Sequence, residues 1–217
     1  MRQEGGKAMD ELWQYEREAL AVGHTAVCGC DEAGAGPLAG PVYAAAVILA
    51  PGTELPGLND SKKLTEKKRE ALYEIITAQA AAWSVARVEA AEIDEMDILN
   101  ARMLVMQRAI DGLSLRPELA LIDGNRDHGS RYAIETPHCL IVGGDGKSAS
   151  IAAASILAKV SRDRYVAEVL DKQYPQYQFA KHKGYGTKLH YQMLDRYGPC
   201  PEHRETFLKK WEARRRG

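Results

Sequence analysis

Short, unbroken apolar runs alternate with longer segments of helical period, which predicts an α/β protein built on a mixed sheet with helices on its faces. Two further observations shape that expectation. The first two runs, "TAVCGC" (25–30) and "VYAAAVILA" (42–50), are joined by a tight Gly/Pro loop and so should pair as a hairpin does. Beyond Tyr174-Pro175 the chain turns basic and aromatic without a strand pattern, which predicts a C-terminal helical extension.

Taken in order, residues 10–21 read as a helix leading into the domain. Runs 25–30 and 42–50 are continuously apolar, as strands buried on both faces are. "SKKLTEKKREALYEIITAQAA" (61–81) has helical period, with Ser61 or Thr65 as its cap. "WSVARVEA" (83–90) alternates like a strand. In "ILNARMLVMQRAIDGL" (98–113), Leu99, Met103, Met106, Ile110 and Leu113 recur at alternating steps of four and three, the pattern of an amphipathic helix. "LALI" (119–122) and "CLIV" (139–142) read as strands that end on Asp123-Gly124-Asn125 and Gly143-Gly144-Asp145. "SASIAAASILAKVSRDRYVAEVL" (148–170) is a long helix whose first half, small and apolar all round, should be buried. Further helices are expected near 187–196 and 204–214. The organisation read from this is a lead-in over 1–24, a central domain over 25–170 and a basic helical extension over 171–217.

The chain of 217 residues is 45% hydrophobic and 27% charged, ordinary for a globular protein with a substantial core. Its longest apolar runs fall short of a membrane span, and its first twenty residues carry acids where a signal peptide needs an apolar stretch. A cytoplasmic protein is expected. Cys28, Cys30, Cys139 and Cys200 form no C-x-x-C pair, so reduced and mostly buried thiols are expected rather than a zinc site. Net charge is −1, but from Lys181 onward ten Lys/Arg face four Asp/Glu. A basic end on a neutral chain fits a polyanionic partner, and a solvated tail accounts for part of it.

Asp31-Glu32, Asp123 and Asp145 share one context: each follows an apolar strand and stands beside glycine. Strand ends are where sites assemble in open α/β sheets. Converging carboxylates repel unless a cation neutralises them, and an all-oxygen donor set suits Mg²⁺ or Mn²⁺ rather than Zn²⁺. Two such ions about 4 Å apart clamp the attacking and leaving oxygens of a phosphoryl displacement. Taken singly, Asp145 could instead cap the helix beginning near Ser148, and Asp123 could be a turn residue. The loop "GAGPLA" (34–39) matches a dinucleotide fingerprint, but Pro37 and Pro41 and a following strand exclude the helix that fingerprint must open. "GDGKS" (144–148) lacks the first glycine of a P-loop, since Ile141 stands there.

The blocks "DEAGAGPLAGPV", "NDSKKLTEKKRE", "LIDGNR", "GGDGKSASIAAASILAKVSRDR" and "HKGYGT", in this order, resemble bacterial ribonuclease HII, the type 2 ribonuclease H, over about residues 10–210. The resemblance implies a ribonuclease H-like mixed sheet of about five strands. It implies endonucleolytic cleavage of RNA in RNA–DNA hybrids, and 5′ of a single ribonucleotide in duplex DNA, leaving 3′-hydroxyl and 5′-phosphate ends. The metal-binding and catalytic carboxylates it implies are Asp31, Glu32, Asp123 and Asp145, with Asp145 preferred over Asp163. The loop Gly34, Ala35, Gly36 and Pro37 and the tyrosine of "GYG", Tyr185, would read the 2′-hydroxyl, which separates RNA from DNA. Lys62, Lys147, Ser148, Lys181 and Lys183 are candidate phosphate contacts. His182, His190 and His203 are expected in structural or phosphate-contacting roles. A monomer is implied, and "KKWEARRRG" shows no clear motif for a replication clamp.

The chain departs from the family at one position of the loop. Ala35 stands where glycine-arginine-glycine is usual, which removes a bidentate phosphate grip. Two alternatives follow: a nuclease of relaxed sugar specificity, and a hybrid-binding protein that cleaves junctions poorly.

Overall fold

The computed structural model describes residues 12–216, with the side chain of Arg216 excepted. The first eleven residues of the expected lead-in, and Gly217, lie outside this range. Helix α1 (Gln14–Ala21) leads into strand β1 (Val27–Ala33), which pairs antiparallel with β2 (Val42–Ile48). Helix α2 (Glu66–Gln79) follows a 3₁₀ turn at Ser61–Lys63, with the Thr65 hydroxyl accepting from Lys68 N. Strand β3 (Ala82–Val88) returns antiparallel to β2. Helices α3 (Ala90–Met96) and α4 (Ile98–Asp111) then lead to β4 (Leu119–Asp123), parallel to β1, and β5 (His138–Ile141), parallel to β4. The mixed sheet has the order β3-β2-β1-β4-β5.

The long helix α5 (Ala149–Tyr165) continues through a π turn at Val166–Leu170 and a last α turn at Asp171–Gln173. The chain closes with α6 (Phe179–His182), α7 (Lys188–Tyr197) and α8 (Glu205–Arg216). Among the described residues no helix is long and apolar enough to cross a membrane.

Strand alternation assigns the core to two faces. Cys28 and Cys30 of β1, with Val42, Ala44 and Ala46 of β2, pack against Met103, Met106 and Ile110 of α4. On the opposite face Ala45 and Val47 meet α5 and, beyond it, Leu72 and Ile76 of α2. Helix α5 buries 12 of its 17 residues, five of them alanine, because it lies directly on β1 and β2. Closest approach falls at Gly29, where an added Cβ would stand 2.1 Å from the Ser150 carbonyl carbon.

An anion anchors the start of α5. The Ser148 hydroxyl caps the helix by accepting from Ile151 N, and donates to Glu16 Oε1 at 2.6 Å. Glu16 Oε1 also accepts from Ser150 N at 2.9 Å and Ser150 Oγ at 2.6 Å. A buried carboxylate here complements the helix dipole and ties α1 to the start of α5.

The structure adds one element and corrects one expectation. Helix α3 was not expected. Its start is a capping box of Glu89 and Glu92, which the acid-rich "VEAAEIDEM" conceals because its apolar positions are few. Strand β5 lies at the edge of the sheet, which leaves Cys139, Leu140 and Val142 exposed. Of the four free cysteines, therefore, only Cys28 and Cys30 are buried.

The Gly29 contact is backbone against backbone, so no side chain can yield. Gly29→Ala should cost about 3 kcal/mol through overpacking, read as a lowered midpoint in chemical denaturation. Ala154→Gly, at a buried position elsewhere in α5, should cost about 2 kcal/mol, from helix propensity and the lost buried methyl together.

Candidate functional site

The parallel pairing of β1 with β4 brings Asp31 and Asp123 to one end of the sheet. The 3₁₀ turn Gly144–Gly146 after β5 adds Asp145. One carboxylate oxygen from each of the three lies within 4.8 Å of the others. Asp145 is not the cap of α5, a position held by Ser148. Nor is Asp123 only a turn residue, although its Oδ1 accepts from Gly144 N at 2.6 Å. Asp163 lies away from the cluster, paired with Lys159 at 2.8 Å.

Glu32 is not in that triad. Adjacent residues of a strand point to opposite faces, so Glu32 turns toward α4 and forms an ion pair with Arg102 at 2.6 Å. Its Oε2 is buried without a hydrogen-bond partner. The four acids still feel one another. Burial, then the charges of Glu32 and Asp123, hold the Asp31 carboxyl well above the usual carboxylate range. Burial raises Glu32 against the opposing Arg102 charge, and raises Asp123 against its bond from Gly144. Such a cluster is short of positive charge. An oxygen-only set of this kind fits a hard divalent cation.

Lys62 supplies part of the missing charge. Its Nζ donates to Asp145 Oδ2 at 2.8 Å, which raises the lysine pKa, while its side chain remains 74% exposed.

The loop after β1 is held from behind by two buried arginines. Arg204, at the start of α8, donates to Gly34 O (2.7 Å), Ala35 O (3.0 Å) and Gly40 O (2.8 and 3.0 Å). Arg162 of α5 donates to Pro41 O at 3.2 Å and lies so close to Gly34 that an added Cβ would meet its Nε at 2.1 Å. Gly34 also has φ +93°, so glycine is required there twice over. The C-terminal segment is stitched to the same loop: Leu38 N donates to Gly184 O, Gly40 N to Glu202 O and Arg204 N to Leu38 O. Gly184, Glu202 and Arg204 thus hold this loop in place, so the C-terminal segment does more than rest on the sheet.

Tyr185 follows Gly184 on that seam. It is 40% exposed, with Arg162 and Lys159 at 5.7 and 5.9 Å from its ring centre. Behind it lie three buried histidines. His190 Nδ1 bonds Tyr185 O at 3.0 Å, His190 Nε2 meets His203 Nε2 at 2.9 Å, and His182 stacks on His190 at 4.3 Å. They are structural, not phosphate contacts. Burial, with His182 next, pushes His190 down to about 3, and burial pushes His203 down to about 4.

The remaining candidates divide. Lys147 and Lys181 are exposed, with Nζ on Val142 O and Gln178 Oε1 respectively, and Lys183 is half-buried. Of the loop, Gly36 is exposed, Ala35 half-buried and Pro37 buried. Ser148 offers a substrate no surface: it is fully buried and its hydroxyl is committed to Glu16. Sequence reasoning missed Arg102, Arg162 and Arg204. The first two sit inside helical patterns that explain an arginine as a surface residue, and the third passed as one of the basic tail's charges.

A sequence model described as ribonuclease HII matches residues 28–213. The chain is 50% identical over 200 residues to a ribonuclease HII of Caldicellulosiruptor bescii, covering 92% of this chain and 95% of that one. It is similar in structure to the ribonuclease H2 of Pyrococcus horikoshii (TM-score 0.72, 27% identity, 88% of this chain and 99% of that one). It also resembles the ribonuclease HII of Archaeoglobus fulgidus solved in complex with PCNA (TM-score 0.69, 27% identity, 86% and 94%).

Two outcomes are expected. Asp31→Asn removes a buried charge whose neighbours repel it. In EDTA the variant should be more stable by roughly 0.5–2 kcal/mol, and adding Mn²⁺ should raise its Tm less than that of the parent protein. The histidines have a defined sign. Their folded pKa values lie below the ordinary 6.5, so the unfolded chain binds protons first. Their contribution is complete above pH 6.5 and is lost as pH falls toward 4 and 3. The raised carboxylates act oppositely, so a variant must be compared with its parent. His190→Asn should flatten the fall in unfolding free energy between pH 7 and 5 by about 1–2 kcal/mol, measured by urea denaturation at each pH.

Proposed function

The chain belongs to the ribonuclease HII family and is a ribonuclease H endonuclease acting on RNA–DNA hybrids; from that premise we propose that it also nicks duplex DNA 5′ of a single embedded ribonucleotide, leaving 3′-hydroxyl and 5′-phosphate ends. The observation that carries the reading is the Asp31, Asp123 and Asp145 cluster beside a glycine loop whose backbone is locked in place.

Asp31, Asp123, Asp145 and Glu32 Oε2 would hold divalent ions, Mg²⁺ or Mn²⁺, two during turnover. When bound, such ions supply an activated water and charge stabilisation at the leaving oxygen. The protein's own groups do the rest. Arg204 occupies the carbonyls of Gly34 and Ala35, which orients the loop for close approach of a sugar-phosphate backbone. Tyr185, partly exposed on the same seam, offers its ring to the ribose, and the 2′-hydroxyl is the group that distinguishes RNA. Lys62 neutralises Asp145 and can turn its exposed ammonium to a phosphate. Lys147, Lys181 and Lys183 extend the cationic surface along the backbone.

No side chain at position 35 reaches for phosphate, so the preference for a lone ribonucleotide should be weaker than arginine there would make it. Residues 171–217 act in this reading as part of the substrate surface. A monomer suffices for the site. The C-terminal segment gives a clamp contact no support: Leu208 and Trp211 are buried, and Trp211 Nε1 donates to Asp195 at 2.7 Å.

End-labelled duplex DNA with one ribonucleotide, beside an RNA strand hybridised to DNA, tests the proposal in Mg²⁺, Mn²⁺ or EDTA. Metal-dependent nicking 5′ of the ribonucleotide is expected, and Asp145→Asn should lower kcat by at least about 10³-fold, the scale of lost electrostatic catalysis. Ala35→Arg should raise kcat/KM on the junction substrate by about tenfold, worth roughly 1.4 kcal/mol for a charge-assisted contact. Cleavage of the long hybrid alone would refute junction nicking.

A further inference from the structure

The Glu32–Arg102 pair is incomplete on both sides, in complementary ways. Glu32 gives one oxygen to Arg102, while its Oε2 is buried and unpartnered. A guanidinium carries five N–H donors. That of Arg102 meets Glu32 through Nη2 at 2.6 Å, its Nε is buried without a partner, and the side chain is 32% exposed. Among the described residues Arg102 makes no other ion pair or hydrogen bond. One partner therefore retains an oxygen for a cation, and the other retains donors for an anion.

Position makes the spare donors useful. Arg102 stands on α4, on the opposite face of the sheet from α5. Its charge reaches Asp123 as well as Glu32. Lys62 flanks the acids from the Asp145 side, and the loop Gly34–Pro37 carries no charged side chain. A nucleic-acid backbone crossing the cluster thus meets a lysine at one end and an arginine at the other.

We infer that Arg102 is a substrate-binding residue: its guanidinium grips a backbone phosphate at the Glu32 end of the carboxylate cluster, doing from α4 what the loop's Ala35 cannot. Arg102 keeps its contact to Glu32 through Nη2 and presents its solvent-facing N–H groups to the phosphate. Arginine suits this because its planar fork serves two anions at once, which a lysine cannot do with the same geometry. The inference rests on the hybrid-nuclease reading above.

Fluorescence anisotropy with a labelled RNA–DNA hybrid in EDTA, over a salt series, separates the outcomes without relying on turnover. Arg102→Met keeps the aliphatic stem. It should weaken binding about tenfold and lower the slope of log K against log salt by about one phosphate contact. Arg102→Lys should preserve the slope with a smaller loss of affinity. Both effects should persist in a Glu32→Gln background. Unchanged Kd and slope in Arg102→Met would overturn the inference. So would a loss that vanishes in Glu32→Gln, because Arg102 would then serve only to hold Glu32. Circular dichroism checks that each variant folds, and Arg102→Gln carries the same test if the methionine variant does not. A parent protein that fails to bind the hybrid would sink the nuclease reading itself, a different result from equal binding by parent and variant.

Discussion

Mutual repulsion among buried carboxylates is the constraint on which the rest of this structure depends. Asp31, Asp123 and Asp145 have no reason of their own to lie within 4.8 Å of one another, and burial makes their charges costlier still. The arrangement persists because the scaffold over-determines it. Parallel pairing of β1 with β4 sets two of the acids side by side. The alanine-rich face of α5, seated on β1 with no room for a Cβ at Gly29, prevents the sheet from relaxing away. Stability generated in the core thus maintains a site that is unstable by itself and ready to accept positive charge.

The same logic governs the glycine loop. A loop built of Gly34, Ala35, Gly36 and Pro37 carries little side-chain bulk, so it cannot pack itself into place. Here the order comes from behind, through Arg162 and Arg204, whose donors engage the loop carbonyls. Burying two guanidiniums is costly, and burial pushes Arg204 down to about 9. The carbonyls that accept from them offset that cost, and they also spend the loop's acceptors on the protein side. The three histidines continue this support to Tyr185, linking its exposed ring to the α7–α8 corner.

Most of the fold was legible because its elements have strong period or unbroken apolarity: β1, β2, α4 and α5 all lie close to their expected bounds. Helix α3 escaped because a capping box, not an apolar stripe, defines it. Edge exposure of β5 escaped because an apolar run does not reveal how many neighbours a strand has. At the site, the acids were visible as strand-end residues beside glycine. Ser148 was misplaced because a serine that opens a helix looks the same whether its hydroxyl faces substrate or, as here, Glu16 more than a hundred residues away.

By itself the sequence determined the alternation of strands and helices, the acids at strand ends and the glycines that permit a close, bulk-free loop, since each follows from local period and residue type. Tertiary structure alone decided which acids share a cluster, that Glu32 turns away to Arg102, and that arginines from α5 and α8 become the loop's support. The physical reason is separation along the chain. Glu32 and Arg102 lie 70 residues apart, and so long-range a pairing is set by how α4 packs on the sheet, which no local pattern records.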